Sequence, residues 1–323
     1  MHLLLTGVAG FIGSKVAELL LADGHHVVGI DNLNDAYDAR LKRHRLDGLL
    51  GRPGFEFDRL DIVDRDALDR VCAGRAQFDA VINLAARAGV RPSVSDPWVY
   101  VETNTVGTLN LLELCRWRGI DKFVLASTSS LYGGSNPLPF SEDLDTSHPL
   151  SPYAASKKGA EVMAHTYHHL HGIDVTVFRY FTVYGPAGRP DMSIFRFCRW
   201  ITEGEPVEIT GDGRQSRDFT YVDDIARGTI LGLERVGYEI VNLGGDQPYE
   251  MLRTIELLEQ QTGKKADIRF IPTDRADVPA TWADIGKARR LLGWEPRVGL
   301  EEGIERTAAW YRDNREMASR LEM

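Results

Sequence analysis

Short apolar runs alternate with longer amphipathic stretches along most of the chain. Runs at residues 3–5, 27–30, 81–84 and 122–126 have the length of buried strands, and residues 14–22 between the first two have a helical pattern. Strands that alternate with helices predict crossover connections, and therefore a doubly wound, mostly parallel α/β sheet. Further strands are predicted at 175–181 and 240–243, and long helices at 103–116 and 154–169.

The pattern becomes irregular after residue 185. Glycine and proline recur in this part of the chain, and residues 266–272 predict a strand outside the main sheet. We therefore expect a smaller C-terminal α/β substrate domain that is built from separate segments. The predicted boundaries place residues 1–180 and about 214–243 in the main domain, and residues 181–213 and 244–323 in the smaller one.

Composition and charge narrow the classes of partner. The 323 residues carry 38 Lys and Arg against 47 Asp and Glu, a formal charge of −9 that disfavours nucleic acid and anionic membrane as partners. No apolar run reaches the roughly 20 residues of a membrane span, and no export signal is recognisable, so we expect a cytoplasmic protein. The three cysteines, Cys72, Cys115 and Cys198, lack metal-ligand spacing, which predicts reduced thiols and no bound metal.

Three glycines, Gly7, Gly10 and Gly13, stand between the first predicted strand and the first predicted helix. Small residues there permit a tight turn and let the backbone approach a pyrophosphate at the helix N-terminus. The spacing departs from Gly-x-Gly-x-x-Gly, but the position is the one a dinucleotide-binding (Rossmann) motif requires. Asp31, at the end of the second strand, is suited to bind an adenosine ribose and to repel a 2′-phosphate, which favours NAD over NADP. Asp61, after another short strand, is a candidate for the adenine amino group.

Tyr153 and Lys157 are four residues apart and share one face of a predicted helix. Tyrosine, with a pKa of about 10, is a poor base at neutral pH, and a neighbouring ammonium lowers that pKa by stabilising the phenolate. The hydroxyl of Thr128, at the end of a preceding strand, is placed to hydrogen-bond the reacting oxygen. The same Tyr-x-x-x-Lys spacing is common on solvated helices. Its position behind a glycine-rich turn and a Ser/Thr strand end favours an acid/base site beside a nicotinamide.

These motifs together resemble the extended short-chain dehydrogenase/reductases, specifically the nucleotide-sugar epimerases and dehydratases. The resemblance implies a UDP-sugar substrate, a retained NAD and a homodimer, with NAD on the main domain and the UDP-sugar on the smaller one. It spans nearly the whole chain and rests on residues 6–13, 83–86, 127–130, Tyr153 with Lys157, 179–186, 217–224, 242–245 and 275–279.

The resemblance also extends the set of candidate cofactor-binding residues. It adds neighbours of the glycine-rich turn, of the two acidic residues and of the fourth strand. The full set is Gly7, Gly10, Phe11, Ile12, Gly13, Asp31, Asn32, Asp61, Ile62, Leu84, Ala85, Ala86, Tyr153, Lys157 and Tyr180.

Ser129 and Ser130 help to separate the reactions of this group. The dehydratases carry an Asp-Glu pair at that strand end, and UDP-glucuronate decarboxylases carry a glutamate there. UDP-galactose 4-epimerases usually have asparagine where this chain has Thr182. The stretches 88–93 and 182–192 look most like the UDP-glucuronate 4-epimerases. That resemblance implies conversion of UDP-glucuronate to UDP-galacturonate through a 4-keto intermediate.

A substrate with a C5 carboxylate needs hydroxyl donors and preferably a guanidinium. The resemblance further implies two arginines on the diphosphate and an aspartate on the uridine ribose, and Arg91 either faces substrate or packs at a helix end. The candidate substrate-binding residues are Arg87, Thr128, Ser129, Ser130, Thr182, Arg189, Arg217, Arg275 and Asp277, of which Arg217 and Arg275 are the diphosphate candidates and Asp277 the ribose candidate.

Three alternatives stay open from the sequence. The chain is also compatible with a UDP-glucose or UDP-N-acetylglucosamine 4-epimerase, which gains nothing from Arg189, or with a UDP-glucuronate decarboxylase. A non-catalytic NAD-binding sensor is a third possibility, although such proteins commonly lose the tyrosine or the lysine, and both are present here.

Overall fold

The predicted alternation of strands and helices forms a seven-stranded sheet and two small sheets in the computed structural model, which describes residues 1–273 and 277–322. The strands are β1 (His2–Thr6), β2 (His26–Asp31), β3 (Phe55–Arg59), β4 (Ala80–Asn83), β5 (Lys122–Thr128), β6 (Asp174–Tyr180), β7 (Thr182–Tyr184), β8 (Val207–Thr210), β9 (Ser216–Tyr221), β10 (Tyr238–Leu243), β11 (Pro248–Glu250) and β12 (Ile268–Ile271).

The main sheet is entirely parallel and has the order β10-β6-β5-β4-β1-β2-β3. The order reverses at β1, because β2 and β3 extend the sheet on one side and β4 continues it on the other. Such a reversal leaves a crevice at the carboxyl ends of the two strands, and ligands of open α/β sheets bind there. The predicted doubly wound fold is therefore confirmed, with its crevice at the ends of β1 and β4.

The central strands are apolar on both faces because helices cover both sides of the sheet. Leu3 and Leu5 of β1 pack into the core on one face, and Leu4 packs on the other. The α-helices are α1 (Phe11–Ala22), α2 (Ala39–Asp47), α3 (Arg65–Cys72), α4 (Val90–Ser95), α5 (Trp98–Tyr100), α6 (Gly107–Arg118), α7 (Pro152–His171), α8 (Ser193–Glu203), α9 (Val222–Leu231), α10 (Met251–Thr262), α11 (Gly286–Leu292), α12 (Leu300–Asp313) and α13 (Arg315–Ala318), with a 3₁₀ turn at Ser129–Tyr132.

Helix α7 carries Tyr153 and Lys157 and has well-defined ends. The hydroxyl of Ser151 caps its start by accepting a backbone N–H at 3.2 Å, and Pro152 occupies its first position. The helix stops at Gly172, which has the left-handed conformation that favours glycine. The predicted helix 154–169 thus lies inside α7.

The predicted helix 103–116 is only partly α-helical. Residues Val101–Val106 form a wider π-helical turn, and α6 follows it. Asn104 in this turn is buried, and its side-chain amide bonds the backbone N–H and carbonyl of Arg87 and the hydroxyl of Ser156. The Asn104 side chain therefore connects the loop after β4 to α7. Such π-helical turns are frequent at functional sites.

The smaller part of the molecule holds a β11-β9-β7 sheet and a β12-β8 pair. Strand β12 confirms the prediction of a strand outside the main sheet. Strand β9 pairs with β7 and β11, although the predicted boundary groups it with the main domain. Aromatic side chains such as Phe195, Trp200 and Tyr311 fill a separate core between α8, α10 and α12. The assignment of one ligand to each domain stays a prediction.

Cys72, Cys115 and Cys198 are buried free thiols. Within residues 1–273 and 277–322, no helix is long and apolar enough to cross a membrane, and no three His, Cys, Asp or Glu side chains cluster as metal ligands. The cytoplasmic location stays a prediction.

Candidate active site

A cleft of about 630 Å³ opens at the carboxyl edge of the main sheet. The crevice between β1 and β4 contributes one part of its wall, and the segment from β7 to the start of α8 contributes another. Predicted residues that line it are Gly7, Gly10, Phe11, Ile12, Gly13, Asp31, Asn32, Asp61, Ile62, Leu84, Ala85, Ala86, Thr128, Ser129, Ser130, Tyr153, Lys157, Tyr180, Thr182, Arg189 and Asp277.

The glycine-rich turn leaves no room for side chains. Gly7 has a φ of 69°, and a Cβ on it would lie 2.7 Å from the backbone nitrogen of Ala85. A Cβ on Gly13 would lie 2.1 Å from the carbonyl oxygen of Gly7. The turn therefore brings bare backbone and the N-terminus of α1 to the cleft, an arrangement suited to a pyrophosphate.

The carboxylate of Asp31 is held at the end of β2. Its oxygens accept the backbone N–H groups of Ala9 at 3.1 Å and Leu33 at 2.8 Å. An ionised carboxylate has about four acceptor positions, so Asp31 retains capacity for ribose hydroxyls. The Asn32 amide donates to the carboxylate of Asp61 at 2.7 Å, which fixes the neighbouring part of the wall.

Lys42 lines the same cleft and was not predicted from the sequence. Its ammonium donates to the side-chain oxygen of Asn34 at 2.6 Å and lies 5.0 Å from the ring centre of Tyr37. Burial lowers the pKa of Lys42 to about 8, against the opposing effect of the Asp31 charge. Helix α2 is rich in Lys and Arg, so its sequence resembles a solvated face and no local signal marks this lysine.

Tyr153, Lys157 and Thr128 meet where α7 packs against the end of β5. Burial raises the pKa of Tyr153 above its ordinary value, and the hydrogen bond with Thr128 and the charge of Arg189 only partly offset this rise. The ammonium of Lys157 donates to the carbonyl of Ala126 at 2.8 Å, and burial lowers its pKa to about 8. The sequence predicts that the charge of Lys157 lowers the pKa of Tyr153. In the structure, the charge that lowers the pKa of Tyr153 belongs to Arg189.

A buried ion pair supports this arrangement from behind. The Ser127 hydroxyl donates to Glu161 at 2.6 Å, and the guanidinium of Arg179 donates to both oxygens of Glu161 at 3.0 and 2.9 Å. Glu161 and Arg179 are both almost fully buried. Since Glu161 lies one helical turn after Lys157, these contacts join α7 to β5 and β6 beside the three candidate catalytic residues.

The guanidinium of Arg189 is already engaged by a carboxylate of its own loop. Its Nε and Nη2 donate to Asp191 at 3.0 and 2.6 Å, and Nη2 also donates to the carbonyl of Ala88 at 3.3 Å. Asp191 was not identified from the sequence, although it lies only two residues away. Ser129, Ser130 and Thr182 line the same cleft, as predicted.

Two predicted arginines, Arg87 and Arg217, are described by the structure but are not among the residues that line the cleft. The guanidinium of Arg87 lies 3.6 Å from the carboxylate of Asp35. The guanidinium of Arg217 donates to the backbone carbonyls of Ser216 and Pro279, at 2.8 and 3.4 Å. Arg275 lies outside the described residues. The sequence could not show which arginines reach the cleft, because that depends on how distant segments pack.

Two other arginines do line the cleft. Arg91 forms an ion pair with Asp277. Arg196, in the first turn of α8, lies with its guanidinium carbon 4.3 Å from the ring centre of Trp200, and its Nε has no hydrogen-bond partner among the described residues. The sequence does not predict Arg196 as a site residue, because the amphipathic pattern of its helix indicates a role in packing.

Comparison with known proteins identifies the family of this chain. Residues 3–244 match the NAD dependent epimerase/dehydratase family. The chain belongs to this family. It is 56% identical over 323 residues to a protein named UDP-glucuronate 4-epimerase from Thermodesulfobacterium geofontis, covering 100% of this chain and 99% of that protein. It is 42% identical to a probable UDP-glucuronate 4-epimerase from Rhizobium meliloti, and the match covers 97% of this chain and 98% of that protein.

A solved structure extends the likeness to three dimensions. The crystal structure of UDP-glucuronic acid 4-epimerase from Bacillus cereus, in complex with UDP-glucuronic acid and NAD, has a TM-score of 0.90. It is 40% identical in sequence and covers 97% of this chain and 99% of that one. The resemblance stated from the sequence is therefore confirmed.

The residues present fit NAD, the cofactor that the family name states. The glycine-rich turn is a cradle that any Cβ would obstruct, and Asp31 keeps acceptor positions for ribose hydroxyls. The sequence-based expectation of NAD is confirmed for the family to which the chain belongs. The individual contacts assigned to each residue stay predictions.

We expect the purified protein to carry NAD without added cofactor and to exclude NADP. The Asp31 carboxylate would repel a 2′-phosphate, while Lys42 nearby would attract one, so Asp31→Asn should improve NADP binding about tenfold. Nucleotide released by denaturation is identified by chromatography, and NADP binding is measured by calorimetry. Asp23→Asn removes the same charge at the exposed end of α1 and should change neither result. NADP in the wild-type protein would contradict the prediction.

Proposed function

We propose that this protein interconverts UDP-glucuronate and UDP-galacturonate by NAD-dependent inversion at C4. The observation that carries the proposal is one cleft lined by the acid/base residues and by Ser129, Ser130, Thr182 and Arg189. The hydroxyls and the guanidinium suit a C5 carboxylate, and the two serines stand where an elimination would need acidic side chains. The names of the relatives from Thermodesulfobacterium geofontis and Rhizobium meliloti support the same substrate.

Tyr153 acts as the general base of the first half-reaction. Its phenolate, which the hydrogen bond with Thr128 and the charge of Arg189 favour against the effect of burial, takes the proton of the C4 hydroxyl. Thr128 holds that oxygen beside it. The ammonium of Lys157 is held by its hydrogen bond to the carbonyl of Ala126, and it places a positive charge near Tyr153 at the N-terminal end of α7. When bound, NAD supplies the hydride acceptor and donor, so that C4 is oxidised to a ketone and then reduced.

Inversion requires the 4-keto sugar to present its other face while the nucleotide stays bound. An anchored diphosphate permits this, because the sugar then swings about its phosphate linkage. Arg217 and Arg275 stay our predicted anchors, Asp277 our predicted ribose contact and Arg87 a further substrate candidate. Arg91 and Arg196 line the cleft and add cationic side chains that favour a diphosphate.

The intermediate is a β-keto acid, which loses CO₂ when its carboxylate bond aligns with the carbonyl π system. The site must therefore hold that bond near the ring plane. Ser129, Ser130, Thr182 and Arg189 are the side chains that we assign to this restraint.

Incubation of the protein with UDP-glucuronate and, separately, with UDP-glucose tests the proposal. Chromatography should show UDP-galacturonate from the first and far slower conversion of the second. Faster conversion of UDP-glucose would favour a neutral-hexose 4-epimerase, and a UDP-pentose as the main product would favour the decarboxylase. No conversion of any UDP-sugar would leave the sensor as the better hypothesis.

We also propose a homodimer formed by the segments 103–116 and 154–169 packing as a four-helix bundle. Apolar side chains near and on these segments are exposed, among them Trp98 at 75%, Val106 at 40% and Val162 at 54%. Light scattering at micromolar concentration should therefore give twice the mass of the chain. Val162→Glu should yield the monomer, whereas Phe270→Glu, which alters an exposed residue of β12, should leave the dimer intact. A monomeric wild type would contradict this prediction.

A further inference from the structure

The contact between Arg189 and Asp191 has the geometry of a substrate contact. The guanidinium presents its Nε and Nη2 donors to two carboxylate oxygens, at 3.0 and 2.6 Å, which is the bidentate mode by which arginine binds carboxylates. The carboxylate in this case belongs to the chain. Asp191 therefore occupies the Nε and Nη2 donors, which form one of the two bidentate edges that arginine offers to a carboxylate.

No other described acidic residue that lines the cleft is available for this role. Asp31 accepts backbone N–H groups, Asp61 accepts from Asn32, and Asp277 pairs with Arg91. Asp191 is the described acidic residue of the cleft that pairs with Arg189, and it is only two residues away. An intramolecular partner so close acts at high effective concentration, so a substrate carboxylate must compete with it.

The two partners differ in their access to water. The side chain of Asp191 is 35% exposed, whereas that of Arg189 is 20% exposed. A displaced Asp191 can therefore turn towards solvent and be hydrated. Arg189 is less accessible to water, so losing its carboxylate partner costs the guanidinium more than it costs Asp191.

We propose that Asp191 is an exchangeable counter-ion of Arg189 that weakens carboxylate binding and lets the keto sugar turn. This inference rests on the proposed function, because it assumes a substrate with a C5 carboxylate. When the sugar leaves one orientation, its carboxylate must leave Arg189. Asp191 then replaces it, so the Arg189 guanidinium keeps a carboxylate partner while the sugar turns. Asp191 is thus a specificity-determining residue that acts through Arg189.

Asp191→Asn tests this idea, since it keeps the shape of the side chain and removes its charge. We expect the KM for UDP-glucuronate to fall about tenfold, because the substrate no longer competes with a carboxylate. The KM for UDP-glucose should stay close to that of the wild type. The kcat for UDP-glucuronate should fall, and reduced nicotinamide should accumulate during turnover, because the sugar is held in one orientation.

Two variants serve as controls. Asp191→Glu keeps a carboxylate in the loop and should restore wild-type discrimination between the two substrates. Asp313→Asn removes one negative charge from a 71% exposed position at the end of α12 and should leave that discrimination unchanged. Circular dichroism and NAD content verify that each variant is folded, and a merely structural role for Asp191 would not lower KM for one substrate alone.

The outcomes separate this inference from the function on which it rests. If wild type fails to epimerise UDP-glucuronate, the proposed function is wrong. If wild type is active but Asp191→Asn leaves both KM values unchanged, or raises both equally, the function stands and the exchange by Asp191 is refuted. If Asp191→Asn lowers KM for UDP-glucuronate but kcat does not fall, the competition stands and the role in sugar turning is refuted.

Discussion

Replacing Tyr153 with phenylalanine is expected to lower turnover of UDP-glucuronate by about 10²–10⁴-fold, the usual contribution of a general acid/base. The aromatic ring still packs beside Tyr100, whose ring centre is 6.1 Å away, so the cleft should keep its shape. Binding of the UDP-sugar should therefore change little. Initial rates give the loss of turnover, and calorimetry with UDP-glucuronate gives the affinity.

Tyr100→Phe is a matched control for this variant. Tyr100 is a buried tyrosine next to Tyr153, and it is not among the residues that line the cleft. Removing its hydroxyl should leave turnover close to that of the wild type. If Tyr153→Phe kept more than half of the wild-type rate, Tyr153 would not be the base, and the catalytic assignment of Thr128 and Lys157 would lose its basis.

Arg189→Ala is expected to reduce discrimination between UDP-glucuronate and UDP-glucose by about tenfold or more. A hydrogen bond to a charged group contributes about 1.5–3 kcal/mol, and each 1.4 kcal/mol is a factor of ten. The KM for UDP-glucuronate should rise far more than that for UDP-glucose, and steady-state kinetics with both substrates measures the ratio.

The same change should alter the products. With the carboxylate less restrained, its bond can align with the 4-keto group, so Arg189→Ala and Thr182→Ala should both release a UDP-4-keto-pentose. Mass spectrometry identifies the pentose, and fluorescence of reduced nicotinamide reports the hydride that is not returned. Equal changes in both KM values, with no pentose from either variant, would refute the carboxylate-binding role and favour a neutral hexose.

A double variant separates two effects of Arg189→Ala on substrate binding: the loss of the guanidinium and the unpairing of the Asp191 carboxylate. Arg189→Ala alone leaves the Asp191 carboxylate unpaired near the substrate carboxylate, and the two negative charges repel each other. Arg189→Ala combined with Asp191→Asn removes this repulsion. We expect the double variant to recover part of the affinity for UDP-glucuronate while it still releases the pentose.

The main features of the fold and of the cofactor site were predictable because their signals are local. Residues 3–5 form an apolar run that only a doubly covered strand can bury, and the glycines that follow define a turn of a few residues. Asp31 is recognised by its place at a strand end. Tyr153 and Lys157 lie on the same helix face whatever the rest of the fold is, because residues four apart on a helix share a face.

Other features depended on the tertiary structure, since they arise between segments that are distant in sequence. Lys42 lies on a helix that reads as solvated, and only the packing of α2 against the cleft buries it. Arg217 matches a family motif, yet its guanidinium donates to the backbone carbonyls of Ser216 and Pro279, two residues that do not line the cleft.

The sequence by itself determined the parallel sheet, the glycine-rich turn and the shared helix face of Tyr153 and Lys157, because each is specified by spacing within one element or turn. The tertiary structure alone decided which charges meet in the cleft. Arg189 is next to its partner in sequence, but a two-residue spacing in a loop does not specify a contact. Arg189 pairs with Asp191 where the loop after β7 also contacts the carbonyl of Ala88, a residue about 100 positions earlier in the chain.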